Sequence, residues 1–166
     1  AQSGKVYGAE AEFLQQLDMF GGDVGKLADN FFVAGNLTVS ESEISIQRFP
    51  GANLTNLKRS LSGHSKYVAN LQLGFDSDND KHNATLTYNV FGKRIAFAGV
   101  NDKDDAFEQP FNSLDFTYSY APAENMTLKL GLKNLLDEDV EILQQGEILQ
   151  QRTEGQTYSL SFSYKY

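Results

Sequence analysis

Apolar and polar residues alternate along most of this chain with a period of two, the pattern of a β-strand whose two sides meet different surroundings. The last segment carries it furthest. Tyr158, Leu160, Phe162, Tyr164 and Tyr166 are apolar or aromatic, and Thr157, Ser159, Ser161, Ser163 and Lys165 between them are polar. Upstream, Leu114, Phe116, Tyr118 and Tyr120 alternate with Ser113, Asp115, Thr117 and Ser119, and Met126, Leu128, Leu130 and Leu132 with Thr127, Lys129, Gly131 and Lys133. The same alternation marks Tyr67 to Phe75, Ala84 to Val90, Phe31 to Ser40 and Tyr7 to Phe13. It predicts seven strands of about nine to eleven residues, near the length a tilted strand needs to cross a bilayer.

The connections alternate in length. Gln15 to Asn30, Asp76 to His82 and Ala121 to Asn125 are the shorter ones, and Glu41 to Lys66, Gly92 to Asn112 and Asp137 to Gln156 the longer. Short turns at one end and long loops at the other mark an outer-membrane barrel. The first connection is broken by Phe20-Gly21-Gly22 and Gly25, with room for one helical turn at Val24 to Ala28. Two other architectures fit the length. One is a soluble seven-stranded sandwich serving as a ligand-binding module, although sandwich strands are shorter. The other is a small complete barrel with an eighth strand at Val140 to Arg152.

Composition narrows the chemistry. The 166 residues contain no Cys, which excludes a disulfide scaffold, a thiolate metal site and a cysteine nucleophile. A formal charge of −8 leaves no basic stripe for phosphates, so no nucleic-acid partner is expected. Mean hydropathy is −0.41 and no apolar run reaches the length of a spanning helix. A membrane barrel is apolar only at every second residue, so neither figure argues against one. The first residues, Ala1 to Gly8, lack the charged and apolar regions of a signal peptide.

Several stretches resemble TonB-dependent outer-membrane receptors. They are Phe31-Phe32-Val33-Ala34-Gly35-Asn36-Leu37-Thr38; Arg59-Ser60-Leu61-Ser62-Gly63-His64-Ser65-Lys66-Tyr67-Val68-Ala69-Asn70; and Tyr88-Asn89-Val90-Phe91-Gly92-Lys93-Arg94-Ile95. Glu108-Gln109-Pro110-Phe111 before Leu114-Asp115-Phe116, Asn134-Leu135-Leu136-Asp137 after a strand, and the terminal aromatic complete the set. The resemblance implies an all-β fold: an antiparallel transmembrane barrel of the 22-stranded type, of which residues 1–166 would supply about seven C-terminal strands without the N-terminal plug. It implies import of a scarce nutrient, such as an iron chelate (a siderophore) or cobalamin, across the bacterial outer membrane, with no enzyme activity and no cofactor. The implied partners are the remaining strands and plug of the same receptor, the TonB complex, the barrel assembly machinery, and outer-membrane lipid and lipopolysaccharide. In this class the assembly machinery reads a terminal aromatic backed by apolar residues at every second position. Tyr158, Leu160, Phe162, Tyr164 and Tyr166 match that signal, and its physical basis is a strand edge open to β-augmentation.

Other candidate sites are weaker. Asp76, Asp78 and Asp80 have Lys81 and Thr87 where a helix-loop-helix calcium site needs Gly and Glu, so they read as a polar turn. His64 and His82, the only histidines, lie in connections at opposite ends. The sequons at Asn36, Asn53, Asn83 and Asn125 carry no glycan meaning in a bacterial outer-membrane protein. Ligand contact is expected in the long loops, where Arg48, Lys58, Arg59, Lys93, Arg94, Lys103 and Arg152 could attract an anion. Glu10, Glu12, Asp115, Lys129 and Lys133 fall on the polar face. A hairpin centred near Ala123 would set Thr117 opposite Lys129, and Asp115 diagonal to Lys129 and Lys133, close enough for an ion pair.

Overall fold

A computed structural model describes residues 3–17, 28–48, 51 and 53–166. The glycine breaks and the helical turn expected within 18–27 lie outside them, Ala28 excepted. The fold is all-β and antiparallel. All seven expected strands form: β1 (Ser3–Gln16), β2 (Phe31–Ser45), β4 (Tyr67–Asp76), β5 (His82–Phe91), β8 (Phe111–Ala123), β9 (Met126–Lys133) and β12 (Thr157–Tyr164). They pair in chain order as a single meander, β1-β2-β4-β5-β8-β9-β12, with a short β3 (Lys58–Arg59) on the end of β2. Among the described residues β1 and β12 do not meet, so this sheet is open at both edges.

The long connections are not bare loops. They hold β6 (Arg94–Phe97), β7 (Ala106–Glu108), β10 (Asp139–Gln144) and β11 (Glu147–Thr153), which form a second sheet in the order β11-β10-β7-β6. This overturns the eighth strand at Val140 to Arg152. Those residues fold instead as a hairpin turned at Gln145-Gly146, both with positive φ (54° and 88°) as a two-residue primed turn requires. Strand lengths also depart from the uniform expectation, from 8 residues in β9 and β12 to 15 in β2. β2 runs on because β1 pairs with it as far as Ser3 opposite Ser45, past the point where its own alternation fades into Glu41-Ser42-Glu43.

Register decides the faces, because residues directly opposite in a ladder point to the same side. One row runs Val33, Leu73, Leu86, Phe116, Leu132, Tyr158; the next runs Phe31, Phe75, Ala84, Tyr118, Leu130, Leu160; a third runs His82, Tyr120, Leu128, Phe162. The opposite face carries Glu12, Asn36, Asn70, Asn89 and Ser113 in one row and Asn83, Ser119, Lys129 and Ser161 in another. Among the described residues no second layer covers the apolar side: Leu71 is 49% exposed and Leu160 71%. The buried apolar residues among those described are only Ile44, Ile95 and Ala106, none of them in the apolar rows. A sandwich would place the Leu and Phe rows against a facing sheet, so its packing is not seen here.

Two glycines mark close cross-strand approach. Phe13 lies opposite Gly35 and Phe32 opposite Gly74, and a Cβ on either glycine would run into the facing ring. An aromatic laid over a strand glycine fills the gap that its missing side chain leaves. Gly74→Ala is expected to lower stability by about 1–3 kcal/mol through overpacking, and Phe32→Ala in the same chain to restore part of it. Chemical unfolding measures both; a Gly74→Ala midpoint equal to that of the parent would show that the ring yields freely.

Candidate functional site

β12 is an edge strand, and every one of its residues is exposed. Tyr158, Leu160, Phe162 and Tyr164 stand opposite Leu132, Leu130, Leu128 and Met126 and so share the apolar face. Tyr166 lies beyond the strand, whose last tie to its neighbour is the Lys165 N–H donating to the Asn125 carbonyl at 2.9 Å. The five residues picked out by sequence are thus four on one face and one past its end. Among the described residues the opposite side of β12 has no neighbouring strand, so its backbone groups offer the chemistry of strand addition.

A second constellation was not legible in the sequence. At the long-loop end the polar face opens into a cleft of about 340 Å³ lined by Phe91, Arg94, Glu108, Phe111, Asp115, Lys133, Arg152 and Glu154, among others. β6 and β7 set Arg94 opposite Glu108, giving a bidentate ion pair with both N–O distances 2.8 Å. The Arg94 guanidinium also lies 4.0 Å from the centre of the Phe91 ring, which in turn faces Phe111 at 6.0 Å. Arg152 is held by Glu154. Three cations and three carboxylates therefore line the cleft, a balanced set that can make directional hydrogen bonds without a strong field of either sign. Both histidines lie elsewhere. Among the described residues no group of three or more His, Asp or Glu is placed to hold a metal ion.

Asn134 braces the floor of the cleft. It adopts φ 53°, as Asn tolerates, and is 7% exposed. Its Nδ2 donates to the carbonyls of Glu138 (3.2 Å) and Gly155 (3.1 Å), while its Oδ1 accepts from the Glu138 N–H at 3.1 Å. Its own N–H donates to Asp115 Oδ1 at 3.0 Å, and Ser113 donates to the same oxygen at 2.7 Å. The Asn134-Leu135-Leu136-Asp137 stretch is thus a turn that ties β8, β9 and the start of β12 together.

The expected pairing of Asp115 with Lys129 or Lys133 is not formed. The hairpin register is shifted by two residues from the expected one: Thr117 faces Gly131 and Ser119 faces Lys129. The cause is that Ala121 to Ala123 stay in β8 through a bulge, leaving Glu124-Asn125 as the turn. Asp115 spends its acceptor capacity on Ser113 and Asn134 instead.

Of the loop cations, Lys58, Arg94 and Arg152 have carboxylate partners. Lys58 pairs with Glu43 at 2.9 Å, Lys93 lies over Phe107, and Arg59 donates to Ser62, while Arg48 and Lys103 are exposed. Arg94 and Arg152 alone of the expected cations reach the cleft. Glu108→Gln is expected to cost about 1–3 kcal/mol by leaving half-buried Arg94 without its charged partner, read as a lowered thermal midpoint; Glu154→Gln, at the more exposed pair, should cost under about 1 kcal/mol. Equal effects would show that burial of the first pair is immaterial.

His64 serves as a pin. Its Nε2 and Nδ1 lie 2.9 Å from the hydroxyls of Ser40 and Ser42, fastening the second half of the β2–β4 connection to β2. His82 contacts the Tyr118 hydroxyl through Nδ1 at 2.7 Å and stacks on Tyr120 at the short-turn end of the apolar face. Of the three turn carboxylates, Asp76 accepts a hydrogen bond from Asn83. No protein-family model matches this chain, and no curated protein and no solved structure matches it either.

Proposed function

We propose that the chain forms the C-terminal seven strands of the barrel of a TonB-dependent receptor in the bacterial outer membrane. One observation carries this reading. Seven strands in one layer present a continuous apolar face and a continuous polar face, with almost no buried core between them. Such a sheet is short of a solvent on each side: hydrocarbon for the rows through Leu130 and Phe116, a hydrated lumen for the rows through Asn70 and Lys129. The alternation of short turns and long, structured connections is the second support.

On this reading the receptor imports a scarce nutrient, an iron chelate or cobalamin among the candidates, with energy delivered through the TonB complex. The remaining strands and the plug complete the barrel and fill it. The apolar rows meet lipid, the long connections lie beside lipopolysaccharide, and Tyr158, Leu160, Phe162, Tyr164 and Tyr166 form the signal for the assembly machinery.

Because the chain lacks cysteine, single cysteines report cleanly on the faces. A fluorophore at Leu128→Cys, Leu130→Cys or Phe162→Cys should be quenched by nitroxide-bearing lipids in membranes holding the intact protein, and one at Lys129→Cys or Ser161→Cys should not. Equal quenching of the two sets, or a chain that stays monomeric in buffer without detergent, overturns the reading. Uptake should also stop when the proton-motive force is collapsed.

A further inference from the structure

The second sheet repeats the order of the first. β11, β10, β7 and β6 stand next to one another as β12, β9, β8 and β5 do, and each continues its counterpart past a break. The breaks fall at Gly92-Lys93, at Gln109-Pro110, at 134–138 and at 154–156, where Pro110 cannot donate to a ladder and Asn134 and Gly155 have positive φ. Every junction between these strands survives its break. β5 with β8 becomes β6 with β7, β8 with β9 becomes β7 with β10, and β9 with β12 becomes β10 with β11. On its other side β6 is met not by a continuation of β4 but by the loop before it, through a parallel bridge between Ser62 and Ile95, with the Gly63 N–H donating to the Ile95 carbonyl at 2.8 Å.

The outer edge of the wall is then β12 followed by β11, and all residues of both strands are exposed. Natural edges are commonly blunted by proline or lysine. Between Glu147 and Tyr164 there is neither. Ile148 and Leu149 are more than half exposed, and Leu149 has no partner on β10.

We propose that Glu147 to Tyr164 form one docking edge, and that the antiparallel strand of the barrel that adds to β12 runs on past 154–156 to pair with β11. This rests on the reading above that β12 is completed by further barrel strands, and it adds that the contact extends by the whole length of β11. The incoming strand must bend or break opposite Gly155. It should carry alternating apolar residues beside Tyr158 to Tyr164 and cover Ile148 and Leu149 beyond the bend.

Hydrogen exchange read by mass spectrometry tests this on the protein in outer membranes of the cells that make it. The amides of β12 and β11 that point away from β9 and β10 should both exchange about 100-fold or more slowly than those of the exposed stretch 101–104. Protection of β12 with β11 exchanging as fast as 101–104 overturns the extension and leaves the receptor reading standing. Rapid exchange of the outward amides of both strands overturns the receptor reading and the extension together.

Discussion

On the proposed membrane reading, Leu130→Arg is expected to cost about 2–4 kcal/mol of folding stability in a bilayer, and Ser161→Arg under about 1 kcal/mol. Leu130 stands in the middle of β9 with Tyr118 on one side and Leu160 on the other, at the centre of the apolar rows. Ser161 lies on the adjacent strand but on the polar face, opposite Lys129, where a further cation can stay hydrated. The two substitutions add the same charge at nearly the same height, so the difference isolates the face. Urea-dependent folding of the intact protein into lipid vesicles measures it. Small and equal costs would mean that the apolar rows do not meet hydrocarbon.

Asn134→Ala should be the most damaging change at the cleft, at about 4–5 kcal/mol. Three side-chain hydrogen bonds worth about 1 kcal/mol each are lost, and a residue with a plain Cβ is forced into the left-handed region at a further cost of about 1–2 kcal/mol. Asn134→Gly keeps the backbone freedom and should recover part of the loss. Leu136→Ala, two residues on and 47% exposed, should be near neutral. The effect should be local: limited proteolysis between Leu135 and Gln156 should quicken while the paired segment around Phe31 and Phe75 stays resistant. Matching losses for Asn134→Ala and Leu136→Ala would show that the turn, and not its asparagine, braces the cleft.

The alternation alone located the seven long strands and told which residues share a side in each. That succeeds because a strand's side chains alternate strictly, so the pattern survives whatever packs against it. Where polarity fades, as at Glu41 to Ser45, the boundary was lost, and β3, β6, β7, β10 and β11 were too short or too irregular to show a period. The Gln145-Gly146 turn was the one local cue to the β10–β11 hairpin. It gave way to the apolar content of Val140 to Ile148, which reads equally well as a single strand.

By itself, then, the sequence determined the strands, their two-faced character and the side of each on which the end-strand aromatics stand. Only the tertiary structure decided which residues face one another. A bulge between Tyr120 and Ala123, where Pro122 sits, reset the hairpin by two residues, and Asp115 is taken up by the Ser113 hydroxyl and the Asn134 N–H instead of a lysine. The cleft was likewise invisible, since Arg94, Glu108, Asp115, Lys133 and Arg152 come from four separate stretches of chain and meet only because each strand keeps its neighbour past its break, with the register kept from β5–β8 to β6–β7 and reset by two residues in the other two ladders. Periodicity is a local property that each segment states for itself, whereas register is a property of pairs, fixed by turns and bulges that a one-residue or two-residue slip can reset.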